Sequence, residues 1–183
     1  MASQIDRAVA ALRLGGVIAY PTEAVWGLGC DPLDRGAVAR LFDLKQRPPG
    51  QGVLLIGSNF EQFADFVGAC PDSALARAKA TWPGPSTWIF PRKEQVPSWI
   101  VGEHAGIALR VTDHPVARAL CEAFGSALIS TSANRHGQPA ARSAGEVRDM
   151  FGSDLAEIVQ GELGGLERPT PIRDAISGEW LRD

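Results

Sequence analysis

No apolar run in these 183 residues approaches the ~18 that a membrane-spanning helix requires. The opening stretch, MASQIDRAVAALRLGG, lacks an apolar core followed by a small-residue cleavage site, so it reads as a helix rather than an export signal. Cysteine is scarce. Cys30, Cys70 and Cys121 are odd in number, far apart and without CxxC spacing, which speaks against a disulfide framework or a zinc cage and fits a reducing cytoplasm. Lysine is scarce too: Lys45, Lys79 and Lys93 are the three among eighteen cations. Those 18 Lys and Arg against 21 Asp and Glu leave a net charge of −3, so no overall basic field gathers nucleic acid. Familiar nucleotide and metal signatures are missing as well. There is no GxxxxGK, Gly27-Leu28-Gly29 does not extend to GxGxxG, and His104, His114 and His136 share no ligand spacing.

What remains is ordinary globular material, 45% apolar and 21% charged, long enough for one sizeable core. With no repeat, low-complexity tract or linker, one domain spanning residues 1–183 is expected. Ser3 is a candidate N-cap for a helix carrying Ile5, Val9 and Leu12 at helical spacing and stopped by Gly15-Gly16. Helices are further predicted over 34–45, 59–67, 73–82, from an Asp113 cap to Phe124, and over 143–151. Apolar or β-branched runs at 17–20, 53–56, 87–90, 107–111, 127–130, 158–159 and 172–176 read as strands, giving about six to eight short ones. Helices and strands do not alternate strictly. The expected fold class is therefore α/β with a mixed, twisted open sheet and helices on its faces. The Gly- and Pro-rich stretch 161–171 reads as a surface loop.

Four segments place polar residues beside strands. In Tyr20-Pro21-Thr22-Glu23, Pro21 stops a strand and Thr22 and Glu23 sit where it opens onto a helix or loop, the place where α/β sheets bind ligands. A Thr N-cap with Glu in the first turn explains the same residues. Lys45 and Arg47, two apart at a helix end before Pro48-Pro49, can grip phosphate oxygens or simply complement the helix dipole. Ser130-Thr131-Ser132-Ala133-Asn134 follows an apolar strand directly, as hydroxyl and amide ligands for a phosphate or carboxylate would, or as a Ser/Asn turn would. Arg110 lies within Gly-Ile-Ala-Leu-Arg-Val and needs a counter-charge, either a ligand carboxylate or a structural acid. Nearby, Trp82-Pro83-Gly84-Pro85 reads as a rigid turn. His114-Pro115 reads as a structural helix start. These features describe an anion- and hydroxyl-binding cleft without a nucleophile, where catalysis rests on orientation and charge stabilisation.

In combination and in this order, YPTEAVWGLGCDP, LKQRP, WPGP, ALRVTDHP and STSAN closely resemble the YrdC/TsaC family of threonylcarbamoyl-adenylate synthases, from about Val17 to Arg182. The pairing of Lys45 and Arg47 with Ser132 and Asn134 is the specific part of the likeness, and the length matches the family's short form. The resemblance implies a sheet around a large concave cavity. It also implies a reaction in which L-threonine, bicarbonate or CO2, and ATP give threonylcarbamoyl-AMP and pyrophosphate. A downstream threonylcarbamoyl-transferase complex would then use the product to modify tRNA beside the anticodon. By the same resemblance, Thr22, Arg110, Ser130 and Thr170 meet threonine, and Lys45, Arg47, Ser132 and Asn134 are the catalytic set on the phosphates. Gln51, Gly106, Ala140 and Arg182 complete the ATP site, and magnesium accompanies ATP without a protein metal site. Three positions depart from the common pattern: Trp26 in place of Tyr or Phe, Ile56 in place of a histidine of longer relatives, and Arg135 after SxN. The rival readings are a non-catalytic RNA-binding or ribosome-maturation factor, and a carbamoyl transferase of hydrogenase maturation.

Overall fold

The computed structural model describes residues 2–48, 50–168 and 170–182. Pro49 and Pro169, which the sequence reading places in a turn and a loop, lie outside them. The strands are β1 (Ile18–Pro21), β2 (Trp26–Gly29), β3 (Leu54–Gly57), β4 (Thr87–Pro91), β5 (Gly106–Val111), β6 (Leu128–Ser132), β7 (Glu157–Ile158), β8 (Ile172–Asp174) and β9 (Trp180–Arg182). They form one sheet in the order β7-β1-β2-β6-β3-β5-β4-β8-β9. Three neighbour pairs, β1/β7, β3/β5 and β4/β8, are parallel and the others antiparallel, as a mixed sheet requires. The helices are α1 (Ala2–Arg13), α2 (Arg35–Lys45), α3 (Asp72–Lys79), α4 (Ser98–Val101), α5 (Pro115–Phe124) and α6 (Ala144–Phe151).

Successive side chains of a strand point to opposite faces, and this alternation divides the sheet into two unlike surfaces. One face is large and apolar throughout: Trp26, Leu28, Leu55, Trp88, Phe90, Ile107, Leu109 and Ile129 pack with Val38 and Leu41 of α2, Ala74 and Ala78 of α3, and Val147 and Phe151 of α6. The other face is apolar at one end, where Ile18, Tyr20, Ile56 and Leu128 lie under Leu12 of α1 and Leu120 of α5. Further along, the same stripe turns small and polar: Gly27 pairs with Ser132, Ser130 with Leu54, and Leu54 with Ala108. Helices cover the first part and leave the second bare, so the sheet's own twist makes that part a hollow.

The structure corrects several sequence readings. Thr22 and Glu23 open onto a tight turn into β2 rather than a helix, with the Thr22 N–H and hydroxyl both donating to the Val25 carbonyl. Residues 59–67 hold only a single 3-10 turn, Phe60–Phe63, capped by Asn59. His114, not Asp113, occupies the N-cap of α5, whose first residue Pro115 needs no N–H partner. Ser3 lies inside α1 rather than capping it. Ser143 does cap α6, accepting from the Glu146 N–H at 3.2 Å. Among the described residues the strands number nine, two more than the sequence reading places, the additions being β2 and β9.

Candidate active site

The bare part of the sheet floors a cavity of about 810 Å³. Its lining gathers Thr22, Arg47, Gly106, Arg110, Ser130, Ser132, Asn134, Ala140, Thr170 and Arg182, ten of the twelve positions named from the sequence. Lys45 and Gln51 are absent from the wall: Gln51 is exposed in an isolated bridge to Gly102, and Lys45 is buried behind the loop after β6. The charged side chains of the lining are Arg47, Arg110 and Arg182, accompanied by His104, and no carboxylate lines it among the described residues.

Arg110 closes one end. It sits on β5 with 5% exposure, where β3 and β4 flank it on either side. Its Nη1 donates to Thr170 Oγ1 at 3.0 Å, and its Nη2 lies 3.3 Å from Oε2 of Glu23. Thr170 arrives on a long strap whose backbone is tied down over the β1–β2 turn, Gly164 N–H donating to the Thr22 carbonyl and Leu166 N–H to the Glu23 carbonyl. A Cβ at Gly164 would stand 2.8 Å from the Cα of Glu23, so only glycine lets the strap lie this close. Ser130 stands opposite Leu54, beside the phenol of Tyr20. Burial pushes that phenol well above its ordinary pKa, and its hydroxyl donates to the Ile129 carbonyl at 3.4 Å.

At the other end α2 stops where Gln46 takes a left-handed conformation, φ 51°, and its N–H closes on Asp43 and Phe42. That reversal sends the flanking cations different ways. Arg47 runs toward the cavity, donates from Nη2 to the Gly52 carbonyl at 2.6 Å, and lies over the Phe42 ring. Lys45 turns under the Ser132–Asn134 segment. Its ammonium donates to the Ser132 carbonyl, to the Asn134 carbonyl at 2.9 Å and to Asn134 Oδ1 at 3.2 Å. Ser132 Oγ donates to the same Oδ1 at 2.6 Å, and Asn134 Nδ2 ties back to the Arg135 and Gln138 carbonyls. Burial, with Arg47 nearby, lowers the lysine pKa to about 8; burial also lowers that of Arg47.

The three departures resolve differently. Trp26 keeps an aromatic wall on the cavity. Ile56 is fully buried in the cluster under α5 and does not reach the cavity, which Leu54, two residues earlier on the same face, lines instead. Arg135 points neither to a phosphate nor to water but to α6, donating to the Met150 carbonyl at 3.1 Å over the Phe151 ring. The buried charge of Arg110 has its structural acid, Glu23, whose role the sequence hid because its partner lies on another strand. His104 and Thr87 also line the cavity without having been singled out. Among the described residues no three His, Cys, Asp or Glu lie together as a metal cage.

Comparison with known proteins agrees with this geometry. Residues 10–182 match the family model Sua5_yciO_yrdC, described as "Telomere recombination". A protein of Halorhodospira halophila named threonylcarbamoyl-AMP synthase is 53% identical over 179 residues, covering 98% of this chain and 94% of its own. One of Coxiella burnetii with the same name is 51% identical over 178 residues, covering 97% of this chain and 96% of its own. The crystal structure of P. abyssi Sua5 complexed with L-threonine superposes with a TM-score of 0.87 at 34% identity, covering 93% of this chain and 50% of that one. The chain thus spans about half the length of that solved relative.

Proposed function

We propose a function from one premise, that this chain belongs to the Sua5_yciO_yrdC family: it is a threonylcarbamoyl-AMP synthase, an ATP-consuming nucleotidyltransferase. The observation that carries the reading is the cavity itself. A buried, partly unsatisfied arginine lies at one end, and Arg47 with the Ser132–Asn134 loop at the other, in a hollow whose described lining holds no carboxylate to repel three anionic substrates. Its ~810 Å³ falls within the range of small-molecule sites and admits a nucleotide with an amino acid.

In this reading Arg110, with Thr22, Ser130 and Thr170, holds the threonine carboxylate and hydroxyl. The free amine takes up CO2 with release of a proton, or bicarbonate with loss of water, and either route leaves a carbamate. A carbamate oxygen then bonds to the α-phosphorus of ATP as the bond from that phosphorus to the β-phosphate oxygen breaks, and pyrophosphate leaves with the electron pair. Arg47 and the hydroxyl and amide of Ser132 and Asn134 stabilise charge on the departing phosphates, and Lys45 holds that loop in place and adds its positive charge from behind. Catalysis is orientation and electrostatics, and no side chain of the chain need bond to substrate. Magnesium would enter on the phosphates of ATP as part of the substrate, and among the described residues no carboxylate cage competes for it.

The chain folds as one domain and acts in the cytoplasm, a reading supported by its free cysteines. Among the described residues no helix is long and apolar enough to cross a membrane. A threonylcarbamoyl-transferase system acting on tRNA consumes the product. Pyrophosphate release from ATP, measured with L-threonine and bicarbonate added separately and together, tests the reading. Release that needs both is expected. No release alongside measurable binding to folded RNA would favour a binding module instead.

A further inference from the structure

Glu23 has no task in the reaction described above, yet its placement is the most constrained in the site. It is 6% exposed, on the turn from β1 to β2, and stands behind the cavity wall rather than in it. Its Oε1 accepts from Thr112 Oγ1 at 2.7 Å, and its Oε2 makes no other contact than the 3.3 Å approach to Arg110 Nη2. From above, the strap pins its backbone through Leu166 and passes over it at Gly164. Arg110 is therefore held at both terminal nitrogens, by Thr170 and by Glu23, while its Nε finds no acceptor. A guanidinium carries five N–H donors in one rigid plane, so one hydrogen bond at Nη1 and one ion pair beside Nη2 together set the direction of the rest.

Resting on the reading of this end as the threonine site, we propose that Glu23 is a positioning residue. It orients the Arg110 guanidinium so that the donors left over meet the amino-acid carboxylate, and it sets threonine affinity without touching threonine. A carboxylate that only cancelled charge would do the reverse: removing it would leave Arg110 more strongly positive and tighten carboxylate binding. The two roles predict opposite signs.

The experiment is steady-state pyrophosphate release, varying L-threonine and ATP in turn, with calorimetric titration of L-threonine, on the full chain and its variants. Glu23→Gln keeps the shape and loses the charge. Its threonine KM and Kd should rise about 10- to 100-fold, the scale of one charge-assisted hydrogen bond, with the ATP KM within about twofold of wild type. Thr112→Val, which removes only the donor to Oε1, should raise the threonine KM by about 2- to 5-fold, and it carries the test should Glu23→Gln fail to fold. Because Glu23 acts through Arg110, the double variant Arg110→Met with Glu23→Gln should bind threonine no worse than Arg110→Met alone. An unchanged or lower threonine KM in Glu23→Gln, or in Thr112→Val where it stands in, overturns the proposal, as does additivity in the double variant. If wild type itself releases pyrophosphate without needing threonine, the underlying site reading falls. If wild type needs threonine and the variants match it, only the positioning role falls.

Discussion

The two ends of the cavity solve the same problem, holding a buried cation, in opposite ways. At the amino-acid end Arg110 faces a full counter-charge in Glu23, so the pair contributes no net charge and its value lies in direction. At the end that the proposed reaction gives to the phosphates, neither Lys45 nor Arg47 has a carboxylate in reach among the described residues. Each is held by neutral oxygens, the carbonyls of Ser132, Asn134 and Gly52 and the Asn134 amide. Carbonyls satisfy donors without cancelling their charge, so that end keeps its positive field. One end is built to recognise, the other to attract.

The sharpest way to break this contrast is to remove one cation from each end. Arg47→Ala should lower the turnover of pyrophosphate release by about 100-fold or more with the fold intact, since charge stabilisation of a leaving group is worth that much. Arg110→Ala should act mainly on the threonine KM, and it should lower the melting temperature, because it strands the buried carboxylate of Glu23. Wild-type turnover in Arg47→Ala, or an ATP effect in Arg110→Ala as large as its threonine effect, would dissolve the division.

A second test uses pH. With its pKa lowered from the ordinary 10.5 to about 8, Lys45 loses its proton in the folded protein while the unfolded chain still keeps it. Between those values the unfolded state binds more protons, so the stability owed to Lys45 rises with pH, is complete above 10.5 and fades as pH falls through 8. The field at the phosphate end moves the other way, so the ATP KM should climb severalfold from pH 7 to 9 while the threonine KM changes less. Lys45→Met should flatten that ATP profile. A profile that Lys45→Met leaves unchanged would remove Lys45 from the phosphate field.

The smallest effect belongs to Arg182, exposed on β9 and tied to the Thr170 carbonyl at 3.0 Å. Arg182→Ala should raise the ATP KM about 2- to 5-fold, as an exposed cation contributes little through water. A loss matching that of Arg47→Ala would mean the edge of the sheet closes over the nucleotide.

The meeting of residues at the Lys45 end of the cavity was partly legible in the sequence, because Lys45-x-Arg47 and Ser132-x-Asn134 are each local, and their pairing came from the family resemblance. The apolar strands were legible for the same reason: Val53 to Ile56 and Ile107 to Val111 carry their pattern within a few residues. Strand β2 was not, because Trp-Gly-Leu-Gly scores poorly as a strand. It is one because two neighbours pair with it, and because a Cβ at Gly29 would stand 2.7 Å from the Ile129 carbonyl. Glu23 stood out only as a polar residue at a strand end; its partners Arg110 and Thr112 are far along the chain, so the ion pair was hidden, and a Glu after Thr reads equally well as a helix start. Local chemistry can be read from a sequence; pairing across strands waits for the fold.

The strap that delivers Thr170 also fixes the order in which the site comes into being. Lys45, Arg47, Ser132 and Asn134 precede the strap in the chain and Arg182 follows it, whereas Arg110 meets Thr170 only after sixty further residues. A chain emerging from the ribosome therefore carries Arg110 long before its Thr170 partner is made, and the strap is tied across the β1–β2 turn only through the late residues Gly164 and Leu166. A chain cut before the strap keeps Arg110 and Glu23 but loses the hydroxyl that holds the second terminal nitrogen of Arg110.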